Sequence, residues 1–152
     1  MLVGWLDFHR ETLAIKVEGL DAGQFAACPI PNSPTSLLGL VRHLTEIERT
    51  YFRRVFAGEE LPDLPFGADP FGEEPGSDFE SASVAPPEDA LLIWRAEVDA
   101  ARAVIDNAAS LDDRGNSGLP LRFWLIKTLN EYARHNGHAD VVRELIDGTT
   151  GE

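Results

Sequence analysis

The sequence predicts an all-α fold, a four-helix bundle, on three observations. Four stretches repeat apolar residues at steps of three and four, the spacing that lines one face of an α-helix. Proline, glycine and serine punctuate their ends. The second and fourth stretches also carry His43, Glu131 and His135, side chains that ligate metal ions and that a bundle can bring to one point.

The first helix is expected over about Leu2 to Glu18. Leu2, Trp5, Leu6, His9, Leu13 and Val17 make its apolar face, and Gly19 its stop. His9 on that face is either a structural or rim histidine or a neighbour of the site. Arg10 and Lys16 are either ordinary surface charges or reach over a pocket mouth to hold an anionic substrate. Residues 21–34 read as a connection, because Pro29, Pro31 and Pro34 forbid a continuous helix. Ser33 and Pro34 then supply a cap and a first helical residue, so the second helix is placed from about Pro34 to Ala57. Leu37, Leu40, Val41, Leu44, Ile47, Tyr51, Phe52, Val55 and Phe56 form its broad apolar face. His43 edges that face, about 60° round the wheel from Leu40 and about 40° from Ile47. Glu46 and Glu48 are charged neighbours, either solvated or supporting the ligands.

Residues 59–89 change character. No basic residue occurs between Arg54 and Arg95, while Asp, Glu, Pro and Gly recur throughout. This reads as an irregular acidic excursion, too long for a tight turn, with Phe66, Phe71 and Phe79 packing it onto the body. Its charge is a solvated surface or a weak cation site. The third helix, about Pro87 to Ala109, carries Leu91, Trp94, Val98, Ala101, Ile105 and Ala108 as a packing stripe. Residues 110–119 read as a turn. The fourth helix starts near Pro120 and ends at about Asp147 before Gly148, with Leu121, Leu125, Leu129, Tyr132, Val142 and Leu145 as core contacts. Gly137 lies in its middle, where it permits a close helix approach beside the site.

Composition sets bounds. The 152 residues and 16.7 kDa fit one domain over the whole chain, 1–152, and a net charge of −13 opposes phosphate backbones and anionic lipid. Cys28 is the one cysteine and has no intrachain partner, and no run approaches the ~18 apolar residues of a membrane span. A cytoplasmic protein without nucleic-acid or membrane partners is the expectation. No Gly-rich phosphate loop, Gly-x-Ser-x-Gly elbow or two-histidine metalloprotease motif occurs.

The chemistry centres on the fourth helix. Glu131 and His135 are one turn apart, about 6 Å along the axis, so both can reach one ion. Two ligands are too few for a tight site; His43, by itself either a hydrogen-bonded core histidine or a ligand, is the best candidate for the third. Two histidines and a carboxylate with an open position are the usual donor set of a catalytic zinc. His138 is seven residues after Glu131, turned by about 20°, and can replace a ligand or orient a bound water. Arg134 is turned about 100° from His135 and either grips an anion or makes a structural salt bridge.

These residues resemble the DinB-like superfamily of metal-binding four-helix bundles, in an actinobacterial branch near the mycothiol-dependent isomerases and S-transferases. The resemblance rests on Arg10-Glu11-Thr12-Leu13 with Lys16, Glu18, Gly19 and Leu20. It continues in Ser36 to Leu44 with Glu48 and Phe52, and closes with Glu131 to Asp140. It implies an up-down-down-up bundle with a long connection between the second and third helices. It also implies ligation of zinc or nickel by His43, Glu131 and His135, a small-molecule substrate, a low-molecular-weight thiol cosubstrate of the mycothiol or bacillithiol type, and a homodimer. The implied reactions are thiol transfer to an electrophile and thiol-dependent isomerisation. One departure is Lys127, where similar sequences often carry histidine; a protonated lysine cannot ligate, and it repels a metal or pairs with Glu131. Metal-dependent hydrolysis, or a non-catalytic bundle that binds a small ligand, are the alternatives.

Overall fold

Leu6, Leu13 and Val17 are buried along the first helix, α1 (Leu2–Val17), which ends where Gly19 turns left-handed at φ 75°. The computed structural model of the chain describes residues 1–66 and 87–151. Four long helical stretches make up the body, and no strand occurs among the described residues, so the all-α expectation holds. One difference lies on α1. Trp5 is 55% exposed, and Arg10 occupies the core position instead, at 1%. The buried stripe runs through Leu6, Arg10, Leu13 and Val17 in steps of four, three and four, so Trp5 is rotated to the outside. Arg10 can be buried because Glu48 pairs with it.

A short helix, α2 (Ala22–Ala26), interrupts the connection expected over residues 21–34. Asp21 accepts from the backbone N–H of Gln24, and Gln24 accepts from that of Asp21, a reciprocal capping box. The next helix, α3 (Leu37–Glu48), begins three residues later than Pro34. Its cap is Ser36, whose hydroxyl accepts from Gly39 N at 3.0 Å, whereas the Ser33 hydroxyl is bonded to Thr35. Beyond Glu48 the helix continues as a π-helical segment, Arg49–Ala57, that stops at left-handed Gly58. Its charged side chains are tied down: Arg49 and Arg53 both pair with Glu97, and Arg53 also with Glu59. Phe66, 3% exposed, packs under the guanidinium of Arg42 at 5.3 Å, so the start of the acidic excursion does fold onto the body. Phe71, Phe79 and the acidic groups from 69 to 80 lie outside the described residues.

Helix α4 (Pro87–Asn107) buries Ala90, Trp94, Val98, Ala101 and Ile105 against α3 and the π-helical segment. The 110–119 turn docks on the far end of that segment. Asn116 N donates to Phe56 O at 2.7 Å, and a Cβ on Gly115 would stand 2.4 Å from that same oxygen, so the approach requires glycine. The last helix, α5 (Leu121–Asp147), packs chiefly along α1 and also on α3. Leu121, Leu125, Thr128, Tyr132, His135, Ala139 and Val142 are all buried, an unbroken stripe in alternating steps of four and three. Leu145, expected in the core, lies beyond the stripe and is 55% exposed.

Gly137 does not serve a close approach. A Cβ there would meet nothing within 4 Å among the described residues. Gly137→Ala therefore stabilises the fold, by about 0.5–1 kcal/mol from helix propensity and reduced unfolded-state freedom. Thermal and urea unfolding check this, and a lower midpoint would contradict it.

Candidate metal centre

The α5 stripe sets the orientation of the site. With Tyr132 at 0% exposure and His135 at 8%, the turn between them points Glu131 toward α3 at the edge of the core. His43 stands opposite, on the α3 face whose Leu40, Leu44 and Ile47 are buried. His43 Nε2 lies 3.7 Å from Glu131 Oε2, and His135 Nε2 lies 3.5 Å from the same oxygen. The two imidazoles meet edge to face with centroids 4.6 Å apart. Donor atoms of all three fall within 4.8 Å of one another, the group among the described residues that can hold a metal ion. Ligands placed tetrahedrally at zinc bond lengths stand about 3.3 Å from each other; the two Glu131 distances of 3.7 and 3.5 Å are close to that spacing, while the widest donor pair, within 4.8 Å, has further to close.

Electrostatics favour the ligating form of His135. Burial, reinforced by the electrostatic influence of the neighbouring His43 and His138 rings and of Arg134, pushes its pKa down to about 3 from the usual 6.5. The ring is neutral throughout the physiological range, as a ligand must be. The folded-state pKa lies below the unfolded one, so this stabilisation is complete above pH 6.5 and is lost as pH falls toward 3. Metal-free protein is expected to lose up to about 4 kcal/mol through this group over that window. Urea titrations of wild type and His135→Gln at a series of pH values test it; equal pH slopes would contradict it.

The other side chains singled out by sequence are distributed differently. His138 is exposed behind His135, with the two Nδ1 atoms 3.4 Å apart, where it can fix the tautomer of the inner ring. Lys127 sits with its ammonium 4.7 Å from the centroid of the Tyr51 ring. Arg134 is exposed on α5. His9 lies across from α5: Asn136 Nδ2 donates to its carbonyl at 3.0 Å and approaches its Nδ1 at 3.4 Å.

Arg10, Lys16 and Glu48 are buried and paired rather than free surface charges, and none of them belongs to the His43–Glu131–His135 group. Arg10 forms a two-pronged pair with Glu48, Nε to Oε1 at 2.8 Å and Nη2 to Oε2 at 2.7 Å. Tyr132 donates to Glu48 Oε1 at 2.8 Å, and Trp94 Nε1 donates to Tyr132 at 2.9 Å. This buried chain joins α1, α3, α4 and α5. Burial and the Glu48 carboxylate push the Tyr132 phenol well above its usual pKa of 10, so it stays a donor. Lys16 is 7% exposed and pairs with Asp140 at 2.7 Å.

Tyr51, part of the apolar face expected of the second helix, belongs to the surroundings of the centre. It is 2% exposed, and burial together with the charge of Glu131, opposed by Arg134, pushes its phenol up to about 12. The signal was present in the four-residue steps from His43 to Ile47 to Tyr51.

Neither a curated protein nor a solved structure matches the chain. One family model does, described as mycothiol-S-transferase, over residues 1–148 of the 152. With its all-helical fold and its clustered His43, Glu131 and His135, the chain belongs to the mycothiol-S-transferase family, within the DinB-like superfamily.

Proposed function

We propose that the protein is a metal-dependent thiol S-transferase, or a thiol-dependent isomerase, whose cation is held by His43, Glu131 and His135. The convergence of those three donors within 4.8 Å supports this most directly. A zinc or nickel ion held by His43, Glu131 and His135 would lower the pKa of a thiol and so supply a nucleophile at neutral pH. Mycothiol, or a thiol of that type such as bacillithiol, is the cosubstrate that the family suggests. In transfer, the thiol loses its proton to solvent, a C–S bond forms, and the leaving group departs with its bonding pair.

The chain's own residues prepare this. His135 offers a neutral imidazole, His138 supports its ring, and Arg134 with Lys127 brings positive charge to the flanks of Glu131 on α5. In this reading the exposed Arg134 is the cation that meets an anionic group of the substrate. The protein is read as a single cytoplasmic domain without nucleic-acid partners, in keeping with its −13 charge; no helix among the described residues is long and apolar enough to cross a membrane. A homodimer is supported by the exposed Trp5, Phe8 and Ile15 along α1. Light scattering checks that state.

Metal analysis of protein purified without a His-tag, followed by thiol–electrophile assays with mycothiol, bacillithiol and glutathione, tests the proposal. About one equivalent of zinc or nickel and consumption of a thiol are expected. No metal and no turnover with any thiol would leave the reading of a non-catalytic ligand-binding bundle. Metal without thiol turnover, but with activity on an ester or amide panel, would favour metal-dependent hydrolysis.

A further inference from the structure

A cleft of about 300 Å³ opens between α1 and α4 and shares no residue with the metal centre. It exists because α1 packs chiefly on α5 while α4 packs on α3, leaving the two helices splayed. Ala14, Trp94 and Val98 give it an apolar lining, and Trp94 and Val98 are each only 4% exposed. At one end Arg102 crosses from α4 to α1, with Nε and Nη2 donating to Asp7 at 3.1 and 2.9 Å.

The charges around this cleft fall into two groups. Arg10 is engaged by Glu48 and Asp7, and Arg102 by Asp7 and Asp99. Glu11 on the α1 wall and Arg95 on the α4 wall make no ion pair, with each other or with any described residue. The cleft thus offers one available carboxylate and one available guanidinium on its two walls, with small apolar edges of Ala14, Trp94 and Val98 between them. A volume near 300 Å³ is at the small end of ligand sites.

We propose that this cleft binds a small zwitterion, an α-amino acid with an aliphatic side chain. Its carboxylate lies on the Arg95 fork, its ammonium on Glu11, and its side chain against Ala14, Trp94 and Val98. A guanidinium recognises a carboxylate through two parallel hydrogen bonds, which gives the site its direction. A simple carboxylate or a simple amine satisfies only one wall.

The test is titration calorimetry of the full chain with leucine, N-acetylleucine and leucinamide. Leucine is expected to bind, and each single-charge analogue to bind at least about tenfold more weakly. Arg95→Gln is expected to weaken leucine at least about tenfold while leaving leucinamide unchanged, and Glu11→Gln to do the same while sparing N-acetylleucine. Both side chains are exposed, so the variants are expected to fold, which circular dichroism verifies; the ligand series on the wild type decides the matter independently of them. No heat with leucine up to about 10 mM, equal binding of an analogue, or leucine affinity unaltered in both variants would overturn the proposal.

Discussion

Replacing Arg10 with alanine lowers the free energy of unfolding by about 3–5 kcal/mol. The guanidinium is 1% exposed and Glu48 is 0% exposed, so removing one leaves the other as an uncompensated charge in the core. Tyr132 still donates to Glu48, but one phenol cannot replace two charge-assisted bonds. The loss follows from stranding Glu48 rather than from losing an attraction. The double variant Arg10→Met with Glu48→Leu is therefore expected to recover most of the stability, because it removes both desolvated charges at once. Urea denaturation at constant m-value reads the difference. A loss below about 1 kcal/mol for Arg10→Ala would mean that the pair is more hydrated than its burial indicates.

The second large effect concerns the proposed cation. His43→Ala, Glu131→Ala and His135→Ala are each expected to reduce bound zinc or nickel from about one equivalent to near zero, since two donors hold such ions poorly. A ligand that binds only the folded chain at 100-fold over its Kd adds about 2.7 kcal/mol, so chelation lowers the wild-type Tm but leaves the Tm of the variants unchanged. His43→Ala and Glu131→Ala disturb the core less than His135→Ala, because those side chains are 16% and 18% exposed against 11% for His135. Stoichiometric metal in His43→Ala protein would remove this ligand assignment.

Much of the bundle was legible because its punctuation is local. Pro87, Pro120, Gly58 and Gly148 mark helix ends through their own backbone restrictions, without help from distant residues. The pairing of Glu131 with His135 was legible for a similar reason, since helical periodicity alone places them together. Their meeting with His43 required only that both faces be turned to one core. Features set by distant partners were not legible. Arg10 is buried because of Glu48, 38 positions away, and no periodicity rule assigns a charge to the interior. Nine residues cannot distinguish a π-helix from an α-helix by their apolar pattern, so the Arg49–Ala57 segment was read as α. The short α2 helix precedes Pro29, Pro31 and Pro34, whose effect on the connection hides it, although the spacing of Asp21 and Gln24 announces its cap.

The seven-residue stripe of α5 has a further consequence. Tyr132 and His135 stand in the same row as Leu125 and Val142, so the helix cannot rotate about its axis without unseating the interior. Glu131 and His135 thus have no swivel of their own. Amide hydrogens along this turn are then expected to exchange through opening of the whole domain, so native-state exchange rates there should follow global stability.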